Sequence, residues 1–176
     1  MFQQKSETSI LFALGLSVNV SERLYKIQKE LYKITKQLEA LTLPPLIPLL
    51  WSDQKSVVFE TIALEKMPKL IPFETLSPLD SDLYLTSSSK EWPFVIARLR
   101  ATLLENNIEE KTDLIPFKAN DGIYLGKNSS PLLEIEPIVN DDWRFYKIEC
   151  NYTLIENRLI NFNYRFLWDH HLLKKS

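Results

Sequence analysis

The sequence is poor in glycine and cysteine, and each shortage excludes a class of site. Three glycines in 176 residues leave no Gly-rich loop of the kind that cradles phosphates. A single cysteine, Cys150, excludes an internal disulfide and fits a reducing compartment. No apolar run approaches the ~20 residues that a membrane span requires. We therefore expect a cytoplasmic protein with no membrane segment, no metal centre and no cofactor.

The chain also lacks an excess of either charge. Its net charge of −2 creates no global field that would steer it toward nucleic acid, so polyanion binding would need a local patch. Hydrophobic content of 45% with 25% charged residues is ordinary for a globular protein. The length fits one domain, which we place over residues 1–176 as two pseudo-symmetric lobes.

Residue patterns predict an α+β order of elements. An apolar strand over residues 9–17 leads into a helix over residues 20–41, with Asn19 and Glu22 at capping-box spacing. The inward positions of this helix are Val20, Leu24, Ile27, Leu31, Ile34, Leu38 and Leu41, three and four residues apart. A strand over residues 43–51 follows, entered through two prolines.

The second half repeats this order more weakly. After strands at 56–64 and 82–87, Ser88 or Ser89 caps a helix over residues 90–106 that carries Pro93 in its first turn. Residues 114–127 are expected to be extended, and 141–154 with 159–168 alternate as an antiparallel hairpin. We predict a two-lobed α+β fold of antiparallel sheets, with the long helix packed on the first lobe.

Several stretches resemble known strands in the same order. They are LPPLIPLLW at 43–51, IPFETL at 71–76, FKA at 117–119 and WRFYKI at 143–148. Their order and spacing are similar to the two-histidine phosphoesterase superfamily, the RNA 2′,3′-cyclic phosphodiesterase-like proteins. The resemblance covers about residues 9–168 and implies the fold of that family.

The resemblance also implies a histidine and a threonine, two residues apart, on each of two strands. In the first strand their places hold Leu46 and Pro48. In the second, either Asn120 and Gly122, or Gly122 and Tyr124, take the paired places. None of these side chains is an imidazole that could act as acid and base on a cyclic phosphodiester. We therefore expect a non-catalytic protein, the alternative being a divergent phosphodiesterase that uses replacement residues.

Four residues near the mouth of the family's cleft are the candidate ligand-binding site: Lys118, Asn120, Tyr124 and Lys127. Two lysines and a tyrosine can hold an anion or stack a base. The partner is then a nucleotide or an RNA end if the cleft is open. If the cleft is filled by side chains, a protein partner is the better hypothesis, because leucine and proline offer a phosphate no hydrogen bonds.

Three further features favour structural roles. Asp169, His170 and His171 could suggest a metal or an acid/base site, but neighbours on an extended chain point apart. Because they lie close to the C-terminal end of the sequence, they are predicted to form a flexible, solvated tail. Cys150 alternates with apolar residues and is predicted to be a buried thiol. The aromatic residues of the last hairpin predict a filled sheet face. A stripe of five cations on the first helix is predicted to be a solvated face: Arg23, Lys26, Lys29, Lys33 and Lys36.

Overall fold

The computed structural model describes residues 3–36, 43–53, 66–80, 82–127 and 134–172, and these form an α+β fold with antiparallel sheets. The elements in chain order are β1 (Gln4–Leu16), α1 (Val18–Thr35), β2 (Leu46–Ser52), β3 (Ile71–Phe73), β4 (Thr75–Leu79), β5 (Asp82–Thr86), α2 (Trp92–Glu105), β6 (Ile123–Lys127), β7 (Ile138–Asn140), β8 (Trp143–Ile155) and β9 (Arg158–His171). One sheet has the order β2-β1-β8-β9, another has the order β4-β5-β6, and β3 pairs with β7.

Strand β1 lies in the middle of the four-stranded sheet, between β2 and β8. It can do so because both of its faces are apolar: Leu11 and Ala13 are on one face, and Ile10, Phe12 and Leu14 are on the other, all fully buried. The predicted central strand is confirmed, although it begins at Gln4, five residues earlier than predicted.

Helix α1 begins slightly before its predicted cap. Ser17 is the N-cap, and its Oγ accepts a hydrogen bond from the Val20 amide at 3.4 Å. The predicted capping box at Asn19 is wrong, because Asn19 already lies inside the helix. Val20, Leu24 and Leu31 are buried as predicted, whereas Ile34 is exposed. The helix ends at Thr35 with Lys36 as its left-handed C-cap, and the rest of the predicted span, residues 37–41, lies outside the described residues.

Each helix reaches the sheet of the other half of the chain. Helix α1 contacts β6, and helix α2 contacts β2. The buried face of α2 is the predicted one, with Val95, Leu99 and Leu103 inward. Its cap is not the predicted serine, since Glu91 precedes the helix without a side-chain capping bond. The two helices and both large sheets therefore share one apolar core.

The C-terminal hairpin of β8 and β9 is confirmed and extends further than predicted. Glu156 and Asn157 both have positive φ angles, 49° and 63°, which suit the tight two-residue turn between the strands. The predicted flexible tail is wrong: His170 and His171 belong to β9 and pair with Phe145 and Arg144 of β8. The ladder to β8 orders them, and sequence spacing alone did not reveal it.

The remaining strands agree in part with the predictions. Strand β5 matches the predicted strand at 82–87, whereas within the extended stretch predicted for 114–127 the strand covers Ile123–Lys127. The predicted strand at 56–64 lies outside the described residues. The helices in the described part of the chain are too short or too polar to cross a membrane.

The buried thiol of Cys150 is confirmed, with no exposed surface. Burial raises the pKa of Cys150, and the nearby Glu149 adds to the rise. A thiol that stays protonated is a poor nucleophile, so Cys150 belongs to the core.

Candidate functional site

The two large sheets turn one face each toward a second apolar cluster, away from the helices. We call these two facing surfaces, one from each sheet, the cleft face. In the four-stranded sheet it carries Leu11, Leu46 and Cys150, and in the three-stranded sheet it carries Tyr84 and Tyr124. Residues on the other face of the same strands, such as Ile47 and Ile123, belong to the core shared with the helices. The cleft face is where the family resemblance predicts a ligand.

Leu46 and Pro48, the first pair of signature positions, both lie on the cleft face of β2. They pair with Gly15 and Ala13 of β1, and residues two apart on a strand share a face. Leu46 is fully buried and Pro48 is buried. Neither side chain can donate a hydrogen bond or transfer a proton, so this half of the cleft is apolar.

The second pair of positions lies at the start of β6. Tyr124 is on the strand, on the cleft face, and is 2% exposed. Gly122 precedes it, and a Cβ there would lie 2.9–3.0 Å from atoms of Tyr84, Leu85 and Thr86 of β5. Asn120 accepts a hydrogen bond from the Gly122 amide through Oδ1 at 2.9 Å. The glycine is therefore required by close packing on β5.

A length of irregular chain between α2 and β6 lies along the cleft face. We call residues 111–121 the cleft segment. Backbone amides of Lys111 and Asn120 donate to the carbonyls of Trp51 and Pro48 in β2, at 2.7 and 2.9 Å. In return, Tyr152 donates to the Leu114 carbonyl at 2.7 Å. These bonds attach both ends of the segment to the four-stranded sheet.

The middle of the cleft segment is attached to both sheets. The Trp51 indole donates to the Phe117 carbonyl at 2.8 Å, and the Tyr84 hydroxyl donates to the Lys118 carbonyl at 2.6 Å. Trp51 is on β2 and Tyr84 is on β5, so the segment bridges the sheets. Buried backbone carbonyls need such partners, and here aromatic side chains supply them.

Phe117 fills the space between the sheets. Its ring stacks on that of Tyr124, with centroids 3.8 Å apart and planes 12° apart. The rings of Trp51 and Phe117 form an edge-to-face pair with centroids 5.3 Å apart. With 2% of its surface exposed, Phe117 joins Leu46 and Tyr124 in one buried cluster. The structure therefore places an apolar ring where a ligand would contact Tyr124.

The two candidate lysines each have an acidic partner. Lys127 Nζ is 3.0 Å from Asp82 Oδ1, and both side chains are largely buried. Lys118 hydrogen-bonds to Asp80 at the surface, which raises the pKa of Lys118 and lowers the pKa of Asp80. Any anion bound by these lysines would compete with an aspartate already in contact.

Lys111 anchors the start of the cleft segment. Its ammonium lies 2.8 Å from Glu7 Oε2, 3.0 Å from Ser9 Oγ and 3.0 Å from Asp53 Oδ1. The side chain is 9% exposed. Burial alone would lower the pKa of Lys111, but the hydrogen bonds to Glu7 and Asp53 outweigh it, and the pKa is raised. The lysine is therefore held as a cation within the folded protein.

Lys111 and the role of Phe117 were not predicted from the sequence. Both lie in a charged, proline-containing stretch without periodicity. Asp53, which Lys111 contacts, and Trp51, which bonds to the Phe117 carbonyl, are more than 50 residues away along the chain. The available signal was the apolar run at 114–117, Leu-Ile-Pro-Phe, between charged and polar residues. Apolar side chains in such a loop indicate burial against another element.

The tyrosines that hold the cleft segment predict a loss of stability at high pH. Burial raises the pKa of Tyr84, with Asp82 adding to the rise, and burial also raises the pKa of Tyr152. A folded pKa above that of the unfolded chain stabilises the protein fully below about pH 10, and this contribution is lost as the pH rises further. We expect the free energy of unfolding to fall above pH 10 by about 1.4 kcal/mol per pH unit for each such group.

Urea denaturation over this alkaline range measures that slope. The variant Tyr84→Phe isolates one group, because its slope should be shallower than that of the unmodified protein by about 1.4 kcal/mol per pH unit. Equal slopes would show that Tyr84 ionises as readily in the folded protein as in the unfolded chain.

The histidines lie away from the signature positions of the cleft face. Three strand spacings, about 14 Å, separate β9 from β2 across the sheet. His171 contacts Asp142, and His170 stacks on Trp168. Within the described residues, no group of three or more histidine, cysteine and acidic side chains is placed to hold a metal ion.

Comparisons with known proteins find similarity in structure. No family model matches the chain, and no curated protein matches it significantly. The structure of TT0787 of Thermus thermophilus is similar with a TM-score of 0.55 and 14% identity, over 96% of this chain and 100% of that one. Escherichia coli LigT complexed with 3′-AMP has a TM-score of 0.53 and 14% identity, over 94% and 99% of the two chains. LigT complexed with phosphate gives 0.53 and 11%, over 97% and 100%.

These similarities span nearly the whole of each chain, and they define the fold. The protein has the two-histidine phosphoesterase fold predicted from its sequence. Within that class its fold is LigT-like, with two antiparallel sheets facing one another across the cleft face.

Proposed function

We propose that this protein has no catalytic activity in its LigT-like fold and acts by binding another protein. The observation that carries the proposal is the stacking of Phe117 on Tyr124 between the sheets. A phosphodiester would need that space, and the ring that occupies it belongs to the chain itself. The predicted alternative, a binder of a nucleotide or an RNA end, needs the cleft segment to leave.

The chemistry of the cleft face supports a non-catalytic role. General acid and base catalysis needs side chains that exchange protons within hydrogen-bond reach of the reacting atoms. Leu46 and Pro48 have no such group, and Gly122 has no side chain. Burial of Tyr124 against Phe117 keeps its ring from the solvent. A divergent phosphodiesterase would therefore depend on Lys127 or on groups outside this face.

The cost of opening the cleft also supports the proposal. Removal of the segment would expose Phe117 and Trp51 and break the five hydrogen bonds described above. Burial of one large apolar side chain is worth about 1.5–3 kcal/mol. A ligand would have to supply this free energy before it gained any affinity of its own.

A turnover assay tests the proposal. We expect purified protein to hydrolyse 2′,3′-cyclic nucleotides no faster than buffer does. The assay includes Lys127→Ala, Tyr124→Phe and, as a matched control, Lys69→Ala, an exposed lysine outside the cleft segment. Turnover that survives Lys69→Ala and disappears in Lys127→Ala or Tyr124→Phe would establish the divergent phosphodiesterase and overturn the proposal.

A further inference from the structure

Strand β9 is a long strand that forms one edge of the four-stranded sheet in the described part of the chain. It has 14 residues and ends the sheet order β2-β1-β8-β9, with no further strand paired to it in the described part of the chain. At ~3.4 Å per residue it is about 48 Å long. Backbone N–H and C=O groups on the outer side of such a strand are a template for another strand.

The middle of β9 carries little of the protection that sheet edges use against pairing. Lysine and proline, the common blocking residues, do not occur in it. Arg165 is engaged with Glu149 of β8 at 3.2 Å. Irregularities in the ladder to β8 fall beside Phe166 at one end and Leu159 at the other. The regular stretch between them, residues 161–166, is the part of the edge best suited to pairing.

Three aromatic rings line this stretch on the cleft face. Phe162, Tyr164 and Phe166 alternate along the strand, with centroid distances of 6.3 and 5.6 Å between neighbours. Tyr164 is 40% exposed and Phe166 is 42% exposed. They lie on the outermost strand, where Phe162 packs against the cleft cluster and stacks on Tyr152 with centroids 6.3 Å apart, while Tyr164 and Phe166 stay exposed. Exposed rings in a row indicate an interaction surface.

The pattern of the stretch is complementary to itself. In an antiparallel pair of β9 strands related by a two-fold axis at Tyr164, Phe162 faces Phe166 of the other copy and Tyr164 faces its own counterpart. Asn163 faces Arg165, so no like charges oppose one another. A two-fold axis at Phe162 would place Tyr164 opposite Ile160 and Phe166 opposite Arg158. An axis at Phe166 would carry the pairing across the irregularity in the ladder beside Phe166.

The ends of the strand are complementary in charge. Arg158 begins β9 and Asp169 lies near its end. In the antiparallel register centred on Tyr164, Arg158 of one copy faces His170 of the other, so the Asp169 carboxylate, which also pairs with Arg144 of its own chain, lies one residue along the strand from that position. Parallel pairing would place like charges together, which is unfavourable. This complementarity favours a second copy of the chain over an unrelated strand.

From these features we infer that β9 is a self-association surface, through which two copies join their four-stranded sheets edge to edge in an antiparallel pair centred on Tyr164. The inference rests on the protein-binding role proposed above, and it names the partner as a second copy. It uses no signature position and no residue of the cleft segment, so a result against it would leave the turnover assay unaffected.

Sedimentation velocity over a wide range of protein concentration tests the association. We expect a dimer of about twice 20.6 kDa. In Tyr164→Lys each copy places a cation opposite its counterpart, so we expect the dissociation constant to rise by about tenfold or more. Tyr32→Lys is the control, because Tyr32 is similarly exposed at 36% but lies on α1. A monomer at every concentration, or a dimer that Tyr164→Lys leaves unchanged, would overturn the inference.

Disulfide trapping tests the register of the two β9 strands, and it remains informative even if Tyr164→Lys fails to fold. Phe162→Cys and Phe166→Cys are made in separate proteins, and Cys150 is buried and does not interfere. A mixture of the two should form a disulfide-linked dimer, because these positions face one another across the two-fold axis. Each protein alone should cross-link far less, since the introduced cysteines of two identical copies would be about 13 Å apart along the strands. Equal cross-linking of the mixture and of each protein alone would contradict the register.

Discussion

Replacement of Phe117 with alanine is expected to lower the free energy of unfolding by about 3–5 kcal/mol. Phe117 is 2% exposed and its ring lies between Tyr124 and Trp51. Alanine would leave a cavity between two sheets whose strands are held by their own ladders, so the site cannot collapse fully. Urea denaturation measures the difference, and the dependence of the free energy of unfolding on urea concentration should have the same slope for both proteins.

A matched control separates packing from a general effect of losing a phenylalanine. Phe94 lies in the first turn of α2 and is 69% exposed, so Phe94→Ala should change the free energy of unfolding by no more than about 0.5 kcal/mol. If Phe117→Ala costs no more than this control, the ring is not packed between the sheets.

Replacement of Lys111 with methionine is expected to cost about 2–3 kcal/mol. Methionine keeps the length of the buried stem but removes the cation from Glu7, Ser9 and Asp53. The Glu7 carboxylate is itself 25% exposed and would lose its charged partner. Urea denaturation measures the loss, and retention of the fold is checked by circular dichroism.

Lys118 provides the matched control for Lys111. Lys118 also belongs to the cleft segment and also forms an ion pair with an aspartate, Asp80. The side chains of this pair are 58% and 67% exposed, however. Exposed pairs contribute about 0–1 kcal/mol, so Lys118→Met should have a small effect. Equal losses for the two variants would mean that the Lys111 contacts do not anchor the cleft segment.

The sequence predicted the paired strands well because their side chains alternate. Strand β1 is apolar on both faces and lies inside its sheet, and β8 and β9 alternate across a turn with positive φ angles. The order of strands and helices then led to the family fold. These features are local or periodic in the sequence, which is why they can be predicted from it.

The ends of elements were predicted less well, for physical reasons that are local to each end. Ser17 and Asn19 are both good N-cap residues, and the position where the chain leaves β1 decides between them. Ile34 fits the helical period but is 61% exposed, since the last turn of α1 extends past the core. Buried Gln28 occupies a core-facing position that hydrophobic spacing does not identify.

The filled cleft could be predicted in outline but not in detail. Leu46 and Pro48 suggested an apolar floor, which their burial agrees with. The occupant, the segment at 111–121, could not be identified, because its path depends on hydrogen bonds to Trp51, Tyr84 and Tyr152 in three different strands. Contacts of that sequence separation leave no periodic signal in the segment itself.

Calorimetric titration with 3′-AMP tests the central claim most directly. This is the ligand named in one of the structurally similar LigT complexes, and the claim is that Phe117 fills the space between the sheets of this protein. We expect no binding heat for the unmodified protein, because the ligand would first have to displace the cleft segment. Micromolar binding that disappears in Lys127→Ala would contradict the account and show that the cleft is open to nucleotides.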